Sequence, residues 1–318
     1  MSLWDRIDAE SRPPLEALWE ALPGGLNGIP DIVARRAAMS ASRAAAAKGS
    51  FPQLHITEHQ YPGPGGTLTL RLYRPETAAE ISAGLIYIHG GGMIMGDLES
   101  QDENMREAAT ELNIPIASID YRKAPEHPYP AAPEDCYAGV SWVFANTETL
   151  GMDPTNIGLM GASAGGGLAL ATALMLRDRG GPELAYLLPI YPMIDDRHST
   201  RSSHEVVDIG IWDRKGSIEA WEWYLGGAEA DAYAAPARAA DLTNLPPTYI
   251  DVGDLDLFRD EDIEIAQRLS AAGVPVEFHL WPGAYHASEL FAPNAALSQR
   301  IWSTRYTAIR RMAGLPNS

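Results

Sequence analysis

The sequence predicts an α/β protein: an eight-stranded, mostly parallel sheet flanked by helices and carrying a helical cap. Three observations predict it. Short, continuous apolar runs recur along the chain, as expected of strands covered on both faces. Helical stretches alternate with these runs, which calls for right-handed crossovers between parallel neighbours. One long aromatic-rich segment interrupts the alternation, and a connection of that length is usually structured in its own right.

The elements follow in order. Helical patterns are expected over residues 15–22 and 31–48, separated by the turn Pro23-Gly24-Gly25. Residues 55–61 and 68–74, joined by Pro62-Gly63-Pro64-Gly65-Gly66, alternate as a hairpin with one wet face. The apolar runs 84–88, 114–119, 157–161, 185–190, 248–252 and 276–280 supply the remaining strands. Helices are expected over 98–112, 133–146, 164–179, 259–272 and 287–312. Between Asp195 and Leu242 lie Trp212, Trp221, Trp223 and Tyr224, whose apolar surface needs a partner; packing against the N-terminal helices makes a cap. The expected division is therefore residues 1–50 and 196–241 as the two parts of the cap, with 51–195 and 242–318 as the two parts of the core.

Composition narrows the function. With 318 residues, 46% of them hydrophobic and 21% charged, the chain is globular and able to bury a large core. A formal charge of −18 repels phosphate backbones and anionic membranes, which argues against nucleic-acid and membrane partners. Solubility explains that charge more simply than salt adaptation. The single cysteine, Cys136, forms no intramolecular disulfide and no cysteine-based zinc site, and its helical setting suits packing. The start Met1-Ser2-Leu3-Trp4-Asp5-Arg6 lacks a signal-peptide core, and no run approaches the ~18 apolar residues of a membrane span, so a cytoplasmic location is expected. No metal and no cofactor are expected: histidines do not pair at ligand spacing, and the acidic residues 251, 254, 256, 260 and 262 lack the calcium-loop pattern.

The chemistry is carried by a few motifs. Gly161-Ala162-Ser163-Ala164-Gly165 stands between the apolar run 157–160 and a small-residue helix, the strand-turn-helix context that lifts a serine out as a nucleophile. Gly161 and Gly165 suit so tight a turn. Alone the motif is weak. Far rarer is His89-Gly90-Gly91-Gly92, directly after the strand at 85–88. Its glycines leave backbone N–H groups unobstructed to stabilise a tetrahedral oxyanion, where losing one donor costs about 3 to 4 kcal/mol of barrier.

A serine hydroxyl also needs a base. Among eight histidines, His286 follows the last strand through the turn at 282–285, at the sheet edge where the serine also lies. The base needs an orienting acid. Asp251, Asp254 and Asp256 all follow or end the strand at 248–252; the loop position favours Asp256, though spacing alone does not separate it from Asp254. The chain order serine, aspartate, histidine is that of the α/β-hydrolases.

From about Gly84 onward the chain resembles the bacterial hormone-sensitive-lipase family of carboxylesterases, the family IV esterases of the α/β-hydrolase superfamily. The likeness rests on His89-Gly90-Gly91-Gly92, the loop at 121–131, the serine turn, Asp256-Leu257-Phe258-Arg259-Asp260-Glu261, and His286. The resemblance implies an α/β-hydrolase fold and a serine carboxylesterase acting on small esters without a cofactor. It also implies Asp256 as the acid, oxyanion donors from Gly91, Gly92 and Ala164, N-terminal helices in the cap, short acyl chains and a homodimer. Trp212 and Trp223 are candidates to line the substrate pocket, against the alternative that they fill the cap's own core. The loop of Arg122, Glu126 and His127 reads as a rigid prop. Two residues depart from the family pattern: Ala162 stands where Asp or Thr is usual, and Leu257 where proline is usual. Amide hydrolysis and acyl transfer would use the same groups. A non-catalytic receptor, like the similar plant gibberellin receptors, is disfavoured because Ser163, Asp256 and His286 are all retained.

Overall fold

The computed structural model describes residues 2–23, 25–44 and 49–316. Gly24 of the expected turn and residues 45–48 of the expected second helix lie outside the described residues. An antiparallel hairpin, β1 (Leu54–Gly63) and β2 (Gly66–Pro75), leads into β3 (Ser82–Ile88), β4 (Ile116–Ile119), β5 (Met152–Ala162), β6 (Tyr186–Ile190), β7 (Thr248–Leu255) and β8 (Val276–Tyr285). Their order across the sheet is β1-β2-β4-β3-β5-β6-β7-β8. The β2/β4 pair is antiparallel, and every pair from β4 to β8 is parallel.

The central strands are covered on both faces, which is why they read as unbroken apolar runs. Along β3, Ile86 and Ile88 join one core while Leu85 and Tyr87 join the other, the period-2 alternation of a strand between two layers. The helices are α1 (Arg12–Ala21), α2 (Ile32–Ala44), α3 (Asp102–Leu112), α4 (Ala131–Ala145), α5 (Thr147–Leu150), α6 (Ala164–Arg179), α7 (Arg201–Glu205), α8 (Arg214–Leu225), α9 (Arg259–Ala271), α10 (Ser288–Phe291) and α11 (Ala296–Ala313). Helix α6 is buried from Ala164 to Leu176.

Three expectations are corrected. Residues 282–285 form the end of β8, not a turn: after an irregularity at Gly253, Leu255 pairs with Tyr285. β8 is an edge strand, so the missing N–H of Pro282 is tolerated. The last helix is split into α10 and α11 around Pro293, which cannot continue a helical ladder. The helix expected from residue 98 begins with a 3-10 turn, Glu99–Gln101.

The N-terminal helices pack on the segment between β6 and β7. Trp19 Nε1 donates to the Gly210 carbonyl at 3.0 Å, and Asn27 Nδ2 to Asp213 Oδ1 at 3.1 Å. Asp213 also caps α8 by accepting from the Gly216 N–H at 2.7 Å. Arg35, fully buried, pairs with Glu219 at 2.6 Å. Arg36 fastens the same helix to the core, donating to the carbonyls of Ile94 and Ala124 and to both oxygens of Glu126. Among the described residues, no helix is long and apolar enough to cross a membrane.

Candidate active site

Ser163 sits between the end of β5 and the start of α6 with φ 58° and ψ −121°, a conformation that costs a non-glycine residue energy and needs support. The support is backbone. The Ser163 N–H donates to the Ile190 carbonyl at 2.9 Å, and the Ser163 carbonyl accepts from Gly167 and Met193, each at 3.0 Å. Close approach explains the flanking glycines: a Cβ on Gly161 would lie 2.1 Å from the Gly165 carbonyl oxygen, and one on Gly165 2.1 Å from that of Ile88.

β8 delivers His286 to this turn. Its Nε2 lies 2.9 Å from Ser163 Oγ and its Nδ1 2.7 Å from Asp256 Oδ2. Asp256 is fully buried, and its other oxygen accepts from the Phe258 N–H at 3.0 Å. The imidazole packs against Tyr191 and Phe258, with ring centroids 4.9 Å and 5.2 Å away, both edge to face. Asp254, which spacing did not separate from Asp256, and Asp251 are engaged elsewhere. Asp254 accepts from the Gly283 N–H and from Arg6, each at 2.7 Å, and Asp251 is gripped by Arg305.

The glycine loop curls beside the serine. Gly91 and Gly92 take φ of 121° and 65°, and the Gly91 carbonyl accepts from Ile94 and Met95. His89 anchors the loop: it is buried, stacks on Tyr121 at 4.3 Å, and places Nε2 3.4 Å from Asp120. Burial raises the Asp120 pKa, but the hydrogen bond from His89 and the Lys123 ammonium outweigh it and bring it to about 2. The following loop is braced as expected of a prop: Arg122 grips the buried Asp135 through both oxygens at 2.7 Å.

Gly90, Gly91, Gly92, Ala162, Ser163 and His286 line one cavity of about 110 Å³. Its walls are apolar: Leu18, Trp19, Leu22 and Leu26 from the N-terminal region, Met95 after the glycine loop, Trp212 from the insert, and Leu290 and Phe291 from α10. Trp212 reaches the glycine loop. Trp223 does not line the cavity, which corrects its candidacy; it lies on α8 beneath the Arg35 guanidinium, 5.4 Å from the ring centre. Sequence reading missed Gln101, Tyr191, Leu290, Phe291 and the N-terminal leucines Leu18 and Leu22. Only these leucines carried a signal, the apolar spacing of Leu15, Leu18 and Leu22.

Chemically, this arrangement places a hydroxyl against an imidazole nitrogen whose opposite nitrogen meets a buried carboxylate, on the floor of an apolar cavity. That is the geometry for moving a proton from the serine to the histidine while the carboxylate fixes the tautomer. Cys136 takes no part, being buried in the core with its thiol pKa pushed up by burial.

Known proteins share this architecture. The profile of a family described by the α/β-hydrolase fold matches residues 85–290. Esterase LipI of Mycobacterium tuberculosis is 40% identical over 233 residues, 72% of this chain and 73% of that protein. Carboxylesterase NlhH of the same species is 36% identical over 249 residues, 76% of this chain and 78% of that protein. The solved structure of a bacterial heroin esterase superposes with a TM-score of 0.91 at 39% identity, covering 98% of this chain and 99% of that one. Sheet order, serine turn and relatives agree, and the chain belongs to the hormone-sensitive-lipase-like carboxylesterases, family IV within the α/β-hydrolase superfamily, as a carboxylic ester hydrolase.

Proposed function

We propose that the protein hydrolyses short- to medium-chain acyl esters through an acyl-enzyme on Ser163, with His286 as general base and then general acid, and Asp256 orienting it. The observation that carries this reading is the continuous chain Ser163 Oγ, His286, Asp256, at 2.9 and 2.7 Å, opening onto the cavity. Ser163 Oγ attacks the ester carbonyl as its proton passes to His286 Nε2. The resulting oxyanion is held by the N–H groups of Gly91, Gly92 and Ala164, the last at the N-terminus of α6, where the helix dipole favours negative charge. Protonated His286 releases the alcohol. A water deprotonated by the same nitrogen then frees the acid.

Residues 1–50 and 196–241 act as the cap over the core formed by 51–195 and 242–318. The Trp19–Gly210, Asn27–Asp213 and Arg35–Glu219 contacts support that division. The apolar walls supplied by the cap and α10 favour an uncharged acyl chain, and the small volume favours a short one. The test is hydrolysis of p-nitrophenyl esters from acetate to laurate by the wild type and Ser163→Ala. Activity should peak at the short end and vanish in the variant; a variant as fast as the wild type would end the proposal.

A further inference from the structure

We propose that Tyr191, tethered by Glu289 and Arg305, is a positioning residue that fixes the imidazole of His286 for proton transfer; the inference rests on the role assigned to His286 above.

The tether is a buried chain of contacts running from α11 to the imidazole. Arg305 on α11 is 1% exposed and donates to both oxygens of Asp251, at 2.8 and 3.0 Å, and to Glu289 Oε1 at 2.7 Å. The same Glu289 oxygen accepts the Tyr191 hydroxyl at 2.6 Å. Tyr191 then presents its ring to His286 at 4.9 Å and 66°, and Phe258 meets the same imidazole at 5.2 Å. Glu289 stands three residues after His286, and Tyr191 directly follows Ile190, whose carbonyl holds the Ser163 N–H. One short stretch of chain therefore braces the serine through its backbone and the histidine through its side chain.

Stability alone does not account for the arrangement. Two buried carboxylates sharing one buried guanidinium pay a desolvation cost that well-packed apolar residues would avoid. Tyr191 also adopts φ 31°, uncommon for a residue with a side chain, and is held there by its N–H to the Asp251 carbonyl at 2.8 Å as well as by its hydroxyl. A strained aromatic pinned at both ends beside the base is what precise placement of that base requires.

Tyr191→Phe removes the hydroxyl and leaves the ring volume. With p-nitrophenyl butyrate, and with rates normalised to the sites titrated by a serine-directed phosphonate, the variant should lose about 10- to 100-fold in kcat, the effect of a small misplacement of a catalytic group. KM should change by less than about twofold, because no substrate contact is removed. Glu289→Gln keeps an oxygen acceptor for the hydroxyl and should retain most of the wild-type kcat. A wild-type kcat in Tyr191→Phe, a loss explained entirely by fewer titrated sites, or an equal loss in Glu289→Gln would each overturn the tether. If the phosphonate labels Ser163→Ala as well as the wild type, the Ser163 reading fails; if it labels only the wild type while Tyr191→Phe is fully active, the tether alone fails.

Discussion

Replacing Gly92 by alanine tests how tightly Trp212 of the insert packs on the glycine loop. The φ of Gly92 is 65°, in the left-handed region, and an added Cβ would lie 2.5 Å from Trp212 Cη2, 2.9 Å from Cζ2 and 3.3 Å from Ala220 Cβ. Neither neighbour yields cheaply: Trp212 is 6% exposed and Ala220 is fully buried on α8. The left-handed conformation costs an alanine roughly 1 to 2 kcal/mol. Overpacking adds about 1 to 3 kcal/mol. Gly92→Ala should therefore lose about 2 to 5 kcal/mol in urea unfolding, by the sum of those two terms. On the proposed role of the Gly92 N–H as an oxyanion donor, activity should fall further than stability implies, since loss of one such donor costs about 10²- to 10³-fold in kcat. Trp212→Phe separates the two terms. Phenylalanine lacks the outer indole ring, and the Trp212 nitrogen makes no hydrogen bond among the described residues that would be lost. In that background Gly92→Ala should cost mainly the backbone term, about 1 to 2 kcal/mol, with the milder Ala220 contact remaining. A cost below about 0.5 kcal/mol in the wild type, or an equal cost in both backgrounds, would refute the steric argument.

Three further outcomes follow from the geometry. Asp256→Asn should lower kcat about 10³- to 10⁴-fold with little change in KM, because the amide no longer holds the productive tautomer of His286; esterase assays with site titration measure it. Asp262 is buried with neither oxygen hydrogen-bonded among the described residues, and burial together with nearby Glu261, Asp256 and Asp251 holds its carboxyl well above the ordinary 3.8. A raised pKa means that the folded state binds the proton more tightly, so its contribution falls as pH rises above 3.8; Asp262→Asn should match the wild type near pH 3 and exceed it by about 1 to 3 kcal/mol at neutral pH, read by thermal melts across that range. Trp223→Ala should lower the melting temperature through loss of its contact with Arg35 but leave acyl-chain preference unchanged, and a shifted preference would contradict its placement away from the cavity.

The sheet was legible because its signals are local: buried strands must be apolar along their whole length, and parallel neighbours must be joined by crossovers. The placement of His286 near Ser163 rested on a local signal too, its position after the last apolar run. The choice between Asp254 and Asp256 was not legible, because it turns on distant partners. Arg6 and the Gly283 N–H occupy Asp254, and no spacing near residue 254 announces either. Trp212 and Trp223 pose the same difficulty: which one reaches the glycine loop depends on how α8 docks against α2, where Arg35 meets both Glu219 and Trp223. The turn expected at 282–285 failed because Pro-Gly is a local signal and pairing with β7 overrode it at a sheet edge.

Ala162 raises the question of what fixes the serine turn when the usual polar neighbour is missing. A side chain at 162 is one route to rigidity, but the strain at Ser163 is a backbone strain and is best opposed by backbone contacts. Here the N–H of Ser163 is fixed by β6, while its carbonyl is fixed by both α6 and the segment after β6, so the peptide units on both sides are anchored. The glycine loop closes the remaining side: a Cβ on Gly90 would lie 2.7 Å from the Ala162 carbonyl oxygen, so loop and turn are already in backbone contact. With its neighbours that close, the Ala162 side chain has little left to restrain. The tightness that keeps Ser163 in place is carried by backbone groups rather than side chains, and the position before the serine is therefore free to be small and apolar.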